Sequence, residues 1–118
     1  MHWKDLKIWQ KSHGLTLSIY KISSSFPATE KYSLTSQLRR SSISICANIV
    51  EGQSRNTTKE YINFLYNSRG SLEETRYQLL LATDLGYLDK IKFDEVEKNC
   101  EEISKMINSL INSLRKKL

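Results

Sequence analysis

Five polar residues within one short stretch, Gln37, Ser41, Ser44, Asn48 and Glu51, recur at steps of three and four and so share one side of a single helix. Asn48 and Glu51, one turn apart, have the types of an orienting amide and a proton-transferring carboxylate, and Glu51 could equally pair with Glu74 from a later helix. Arg39, Arg40, Arg69 and Arg76 supply cations for such a carboxylate. A carboxylate among amides and arginines is more often part of a structural network than a reacting centre. Gln37, Ser44, Asn48, Glu51, Ser71 and Glu74 are therefore read as a structural polar network. Asn48, Glu51 and Glu74 are expected to be largely buried and paired with arginine or backbone groups rather than to line an open pocket.

Other catalytic machinery is missing. The sequence holds no glycine-rich phosphate loop, no nucleophile elbow and no HExxH. A helical-bundle ribonuclease of the HEPN type needs an arginine followed four to six residues later by histidine, and both histidines, His2 and His13, precede every arginine. Cys46 and Cys100 lie far apart on apolar helix faces and read as small buried hydrophobes of a reducing compartment. With two histidines and no CxxC or HxxxH spacing, neither a metal nor another cofactor is expected, nor is enzymatic activity.

Charge is the second source of chemistry. Residues 1–55 carry eight Lys or Arg against three Asp or Glu, and residues 56–118 carry ten of each, so the net +5 belongs to the first half. Basic surfaces favour phosphate backbones by counterion release. Lys4, Lys7, Lys11, Arg39, Arg40 and Arg55 are the candidate nucleic-acid contacts, with one of Arg39 and Arg40 free to be structural. No aromatic stacking platform or base-reading motif is evident, so recognition is expected to be of backbone and shape.

The elements that position these residues are helices. One proline and four glycines in 118 residues, without strand-like alternation, point to an all-α single domain over residues 1–118. The first helix should span about Lys4 to Ser23. It carries two seams, one of Leu6, Trp9, His13, Thr16 and Tyr20 and another of Ile8, Leu15, Ile19 and Ile22, with Trp9 and His13 taken as core. The Ser cluster and Pro27 make a loop. The central helix lies within Glu30–Gly52, where Leu34, Leu38, Ile45 and Ile49, with Cys46 beside them, form the apolar seam. Gly52 is read as its left-handed terminator.

Thr57 and Glu60 fit a capping box for a third helix from about Thr58 to Leu85, in which Gly70 should admit a close neighbour and Gly86 should end the run. Phe93, Val96, Cys100, Ile103, Ile107, Leu110 and Leu114 form an a/d seam in the fourth. Arg115, Lys116 and Lys117 complement its dipole, which leaves them able to touch nucleic acid as well. Short connections favour an antiparallel up-down-up-down four-helix bundle. No run reaches the roughly 20 apolar residues of a membrane span and MHWKDLKIWQ lacks a secretory signal's apolar core, so a cytoplasmic, non-membrane protein is expected.

QLRRSSISICANIVEG followed by SRGSLEE resembles the signature of the four-helix-bundle proteins encoded in 23S-rRNA intervening sequences, a family that includes the accessory variability determinant of diversity-generating retroelements. The likeness extends to LKIWQKSHGL, FPATEKYSLTSQLRR and LGYL, and it matches residue by residue at Gln37, Arg39, Arg40, Ser44, Asn48, Glu51, Gly52, Gly70, Ser71 and Glu74. Cys46 departs from it, standing where relatives often have proline. The resemblance implies a left-handed bundle assembling into a homopentamer. It also implies binding of RNA or DNA and, in retroelement members, of a reverse transcriptase, without catalysis. The first reading is thus an oligomeric nucleic-acid-binding accessory protein. The alternative is a scaffolding oligomer with a protein partner, suggested by the doubly seamed first helix and by small residues, Ser42 and Ala47, on the second.

Overall fold

The structure, a computed structural model, describes residues 2–118. It is all-α: among the described residues there are four α-helices, α1 (Lys7–Ser23), α2 (Leu34–Gln53), α3 (Thr58–Asp84) and α4 (Lys90–Arg115), and no strand. Two 3-10 turns, Trp3–Asp5 and Ala28–Glu30, precede α1 and α2.

Local chemistry sets most of the boundaries. The Ser cluster ends α1 because the hydroxyls of Ser23, Ser24 and Ser25 donate back to the carbonyls of Ile19, Lys21 and Ile22 at 2.7, 2.7 and 3.1 Å. Carbonyls that the helix leaves free are satisfied in this way. α2 begins four residues later than the start of its predicted stretch. Glu30 stays outside it, accepting from the Leu34 amide at 3.4 Å and from the Tyr87 hydroxyl at 2.9 Å. The Tyr87 hydrogen bond, with that of the Leu34 amide, holds the Glu30 carboxyl below its ordinary range. The Thr57 hydroxyl accepts from the Glu60 amide at 3.1 Å and donates to the Glu60 carboxylate at 2.9 Å, so the Thr57 half of the expected capping box forms and the Glu60 carboxylate turns to the hydroxyl. Gly86, at φ +83°, closes α3: its amide bonds the Thr83 carbonyl and that of Tyr87 bonds the Ala82 carbonyl, the paired bonds of a Schellman end.

Each helix packs on two others, α1 on α2 and α4, α3 on α2 and α4, around a core of Leu15, Ile19, Leu38, Ile45, Ile49, Leu65, Leu72, Leu79, Ile103 and Ile107. On α1 the seam of Ile8, Leu15 and Ile19 faces that core, with Ile22 partly buried. The second seam does so only in part, through Leu6 and Trp9 packed against the core's edge. His13 and Tyr20 are exposed and Leu6 and Trp9 half-buried, so His13 is not a core residue; only Thr16 of that set is buried, its hydroxyl 3.1 Å from the Ser42 carbonyl. On α4, Ile111 is buried and Leu110 only partly so. A helix of 3.6 residues per turn drifts by about 20° per heptad, which carries the buried position one residue along by the last turns.

Neither glycine of the central helices plays the role read from its sequence position. Gly52 does not terminate α2; it is helical and buried. A Cβ there would sit 2.8 Å from Phe64 Cβ and 3.0 Å from Tyr61 Cδ1. At Gly70 a Cβ would meet nothing within 4 Å. Replacing a helical glycine by alanine ordinarily gains about 1 kcal/mol, while overpacking costs about 1–3 kcal/mol. Gly70→Ala is therefore expected to raise the melting temperature and Gly52→Ala to lower it. Thermal unfolding of the two variants checks this, and a stabilised Gly52→Ala would contradict the close approach.

Candidate nucleic-acid interface

The polar stripe of α2 meets α3, but its charged members are not buried. Ser41, largely buried, lies 2.8 Å from both the Thr75 hydroxyl and Gln78 Oε1. Ser44 accepts from Ser71 at 2.9 Å and from Asn48 at 3.0 Å, and the buried Ser68 hydroxyl donates to the Ile45 carbonyl at 2.9 Å. The network thus runs through hydroxyls, with Ser44, Asn48 and Ser71 from the expected set and Ser41, Ser68, Thr75 and Gln78 as its buried members. Asn48 is only half-buried, and Glu51 and Glu74 are exposed. Glu51 pairs with Arg55 at 3.3 Å, one turn on in sequence, with about half its side chain in water. Glu74 does line an open groove, of about 450 Å³, together with Gln37, Arg40, Ser44 and Ser71. The expectation of a buried, arginine-paired carboxylate fails because hydroxyls, which lose little on leaving water once hydrogen-bonded, occupy the interior in its place.

Arg39 and Arg40 separate cleanly. The Arg39 guanidinium donates to the Ser23 hydroxyl at 2.8 Å and the Tyr20 carbonyl at 3.3 Å, and lies over the Tyr20 ring at 4.5 Å. It binds the end of α1, and its role is structural. Arg40 is exposed. Lys11 pairs with Glu102 at 3.0 Å and Arg55 with Glu51. Both of these are exposed pairs, worth about 1 kcal/mol or less. Lys4 and Lys7 are exposed and, among the described residues, lack a carboxylate partner.

The tertiary structure adds cations that the charge count of the first half left out. At the start of α1, Leu6 and Ile8 lie beside Lys105, Met106 and Leu110 of α4. Gly52 of α2 abuts Tyr61 of α3, and Arg115 of α4 bonds the Tyr66 hydroxyl of α3. One end of the bundle therefore gathers Lys4, Lys7, Lys59, Arg69, Lys105, Arg115, Lys116 and Lys117, none of them in an ion pair among the described residues. Arg69 and Arg115 both lie over the Tyr66 ring, at 5.0 and 5.4 Å. Lys7 and Lys59 stand in the first turns of their helices, where the dipole disfavours a cation, so helix stability does not account for them. Arg115, Lys116 and Lys117, read from the sequence as complementing the dipole, stand at this end with them.

The start of the chain also holds a cluster of aromatic rings that the sequence reading did not join. His2, Trp3, Trp9 and His13 form a continuous ladder of ring contacts, with centroids 5.0 Å apart and tilted at 33° for His2–Trp3, 4.9 Å apart and edge-on at 64° for Trp3–Trp9, and 4.9 Å apart and stacked at 8° for Trp9–His13. Lys4 Nζ lies 5.6 Å from the Trp3 ring. The 3-10 turn breaks helical periodicity between Trp3 and Trp9, which is why spacing alone did not join them.

The thiols are poor candidates for chemistry. Burial pushes Cys100 up to about 12 and raises Cys46 as well, so both are protonated at neutral pH. Among the described residues no cluster of three His, Cys, Asp or Glu side chains is placed to hold a metal, and no helix is long and apolar enough to cross a membrane.

Comparison with known proteins agrees with this architecture. A solved structure of a protein of unknown function from the S23 ribosomal protein family of Bacteroides thetaiotaomicron superposes with a TM-score of 0.82 at 25% identity, covering 89% of this chain and 95% of that one. No curated protein matches the chain by sequence. Residues 4–109 match the 23S rRNA-intervening sequence proteins, and with nearly its whole length so accounted for, the chain belongs to that family.

Proposed function

We propose that this protein is a non-enzymatic, cytoplasmic accessory protein that binds RNA or DNA through phosphate contacts at the basic end of an antiparallel, up-down-up-down, single-domain bundle. The observation that carries the reading is the gathering of unpaired cations from α1, α3 and α4 at one end, two of them at helix starts where they oppose the dipole. Family membership supports it, since the family's name refers to sequences inserted in 23S rRNA. In the setting of a retroelement, a reverse transcriptase is the protein partner that the resemblance suggests. The antiparallel arrangement is supported by residue pairing: Ser41, Ser44 and Gly52 of α2 meet Thr75, Ser71 and Tyr61 of α3, so partner numbers fall as α2 advances.

Self-association is part of the reading. Leu17 and Tyr77 are 59% and 62% exposed. Leu17 shares α1 with exposed Tyr20, which Arg39 links to α2 and its exposed Ile43, while Tyr77 lies with exposed Leu80 on α3. Two unlike apolar patches on one chain suit a heterologous contact, which closes into a ring when the rotation permits. The resemblance sets the number at five. A ring would repeat the basic end and raise avidity for a long anion. The same patches favour the second reading, a scaffolding oligomer with a protein partner.

Two experiments test this. Lys4→Glu, Lys7→Glu and Lys59→Glu together are expected to weaken RNA and DNA binding across sequences and flatten its salt dependence between about 50 and 200 mM, by a slope of roughly 0.7–0.9 per lost contact, with helical content unchanged. Lys31→Glu with Lys90→Glu, away from that end, are expected to leave binding intact. Parental affinity in the triple variant would leave the scaffold reading in front. Light scattering should return an oligomer for the parent and monomers for Leu17→Lys and Tyr77→Lys separately. A mixture of those two variants should give a dimer, because each retains the patch the other lacks. A monomeric parent at micromolar concentration would remove the ring.

A further inference from the structure

The aromatic ladder is larger than its structural duties require. α1 already supplies the core with Ile8, Leu15 and Ile19. Trp9 alone packs against that core from the ladder. His2 and His13, at its two ends, are exposed, and Trp3 is half-buried. The rings are contiguous and partly open to water, parallel at Trp9–His13 and turned edge-on at Trp3–Trp9, and they extend across the 3-10 turn and the first two turns of α1.

The charge around the ladder is mainly positive, with Asp5 the one carboxylate of the 3-10 turn. Lys4 sits over Trp3, and Lys7 follows it on the same segment, both without carboxylate partners among the described residues. An apolar protein surface would meet these ammonium groups at a desolvation cost. A strand of unpaired nucleotides would not, since its phosphates match the cations and its bases match the rings. Base–aromatic stacking with cationic support is the common physical basis of single-strand binding, and it tolerates any sequence because every base has a π-face. A duplex keeps its base faces stacked on one another and cannot offer them.

We infer that His2, Trp3, Trp9 and His13 form a stacking platform for the unpaired bases of a single-stranded polynucleotide, RNA or DNA, whose phosphates lie along Lys4, Lys7 and the basic end of the bundle. The inference rests on the nucleic-acid reading above and narrows it from any phosphate backbone to a strand with open bases.

Trp3 and Trp9 are the chain's two tryptophans, so intrinsic fluorescence reports on the platform directly. The full-length protein is titrated with a 15-nucleotide uridylate strand, a thymidylate strand, a duplex of that length and an abasic deoxyribose-phosphate strand. Both base-bearing strands are expected to quench the fluorescence and to bind about tenfold tighter than the abasic strand, the scale of one stacked base. They should also bind tighter than the duplex. His13→Ala and Trp3→Leu, checked for unchanged helical content, should narrow the gap between base-bearing and abasic strands. Tighter binding of uridylate than of thymidylate would support the platform with RNA as its strand, and equal binding would support it for both.

Equal affinity for base-bearing and abasic strands, without quenching, would overturn the platform while leaving phosphate binding standing. Failure of every strand to bind would overturn both. Quenching that follows protein concentration alone, with no further change on adding strand, would give the ladder to a second copy of the chain and overturn the inference.

Discussion

Where α2 lies against α3, hydroxyl groups and a glycine hold the places that branched aliphatic side chains hold elsewhere in the core. Ser41 with Thr75 and Gln78, Ser44 with Ser71, and Ser68 with the Ile45 carbonyl form a file of short hydrogen bonds along the contact, and Gly52 lets Phe64 and Tyr61 approach at its end. Small side chains bring two helices close, but only if each buried oxygen finds a partner, because an unsatisfied polar group costs about 1–3 kcal/mol. The file meets that condition and fixes the register of the pair. Its other consequence is the freedom of α2's apolar seam, Leu38, Ile45 and Ile49, to fill the centre that α1 and α4 complete.

That arrangement decides which charges stay available. Between α3 and α4 the Arg76 guanidinium bonds the half-buried Glu97 carboxylate at 2.8 Å, and the hydrogen bond to Glu97 raises the arginine further above its ordinary range. At the bottom of α1, Arg39 is consumed by Ser23 and Tyr20. Cations with a partner of this sort contribute to the fold. Those at the opposite end, on helix starts, a helix end and the first 3-10 turn, have aromatic rings, neutral groups or water for neighbours and, among the described residues, no carboxylate in an ion pair. A long polyanion is the natural counterpart of such a surface, since counterion release rewards many weak contacts made together.

Five of the exposed large apolar residues fall into two sets. Leu17, Tyr20 and Ile43 lie on α1 and α2, and Tyr77 and Leu80 on α3; neither set belongs to the aromatic ladder at the start of the chain. A bundle of this size has enough interior for one apolar face per helix. Residues left over on outward faces are the ones through which function or assembly has to be read.

How much of this was legible beforehand follows from the range of the physics involved. The four helices, the Thr57 cap, the Gly86 terminator, the seams of α2 and α4 and the resemblance to the family depend on residues within a few positions of one another, and periodicity and local hydrogen bonding determine them. The candidate cations Lys4, Lys7 and Arg40 were also visible, as charge is a property of composition. What only the tertiary structure decided is which of α1's two seams goes inside, whether Glu51 and Glu74 are buried, and which glycine meets a neighbour. It also decided which arginine of the Arg39–Arg40 pair is spent on the fold. Each depends on the rotation of one helix against another, set by packing partners tens of residues away. The clustering of Lys4 and Lys7 with Arg115 and Lys116, and the meeting of His2, Trp3, Trp9 and His13 across a break in the helix, have the same origin: proximity in space between residues whose sequence spacing carries no periodic signal.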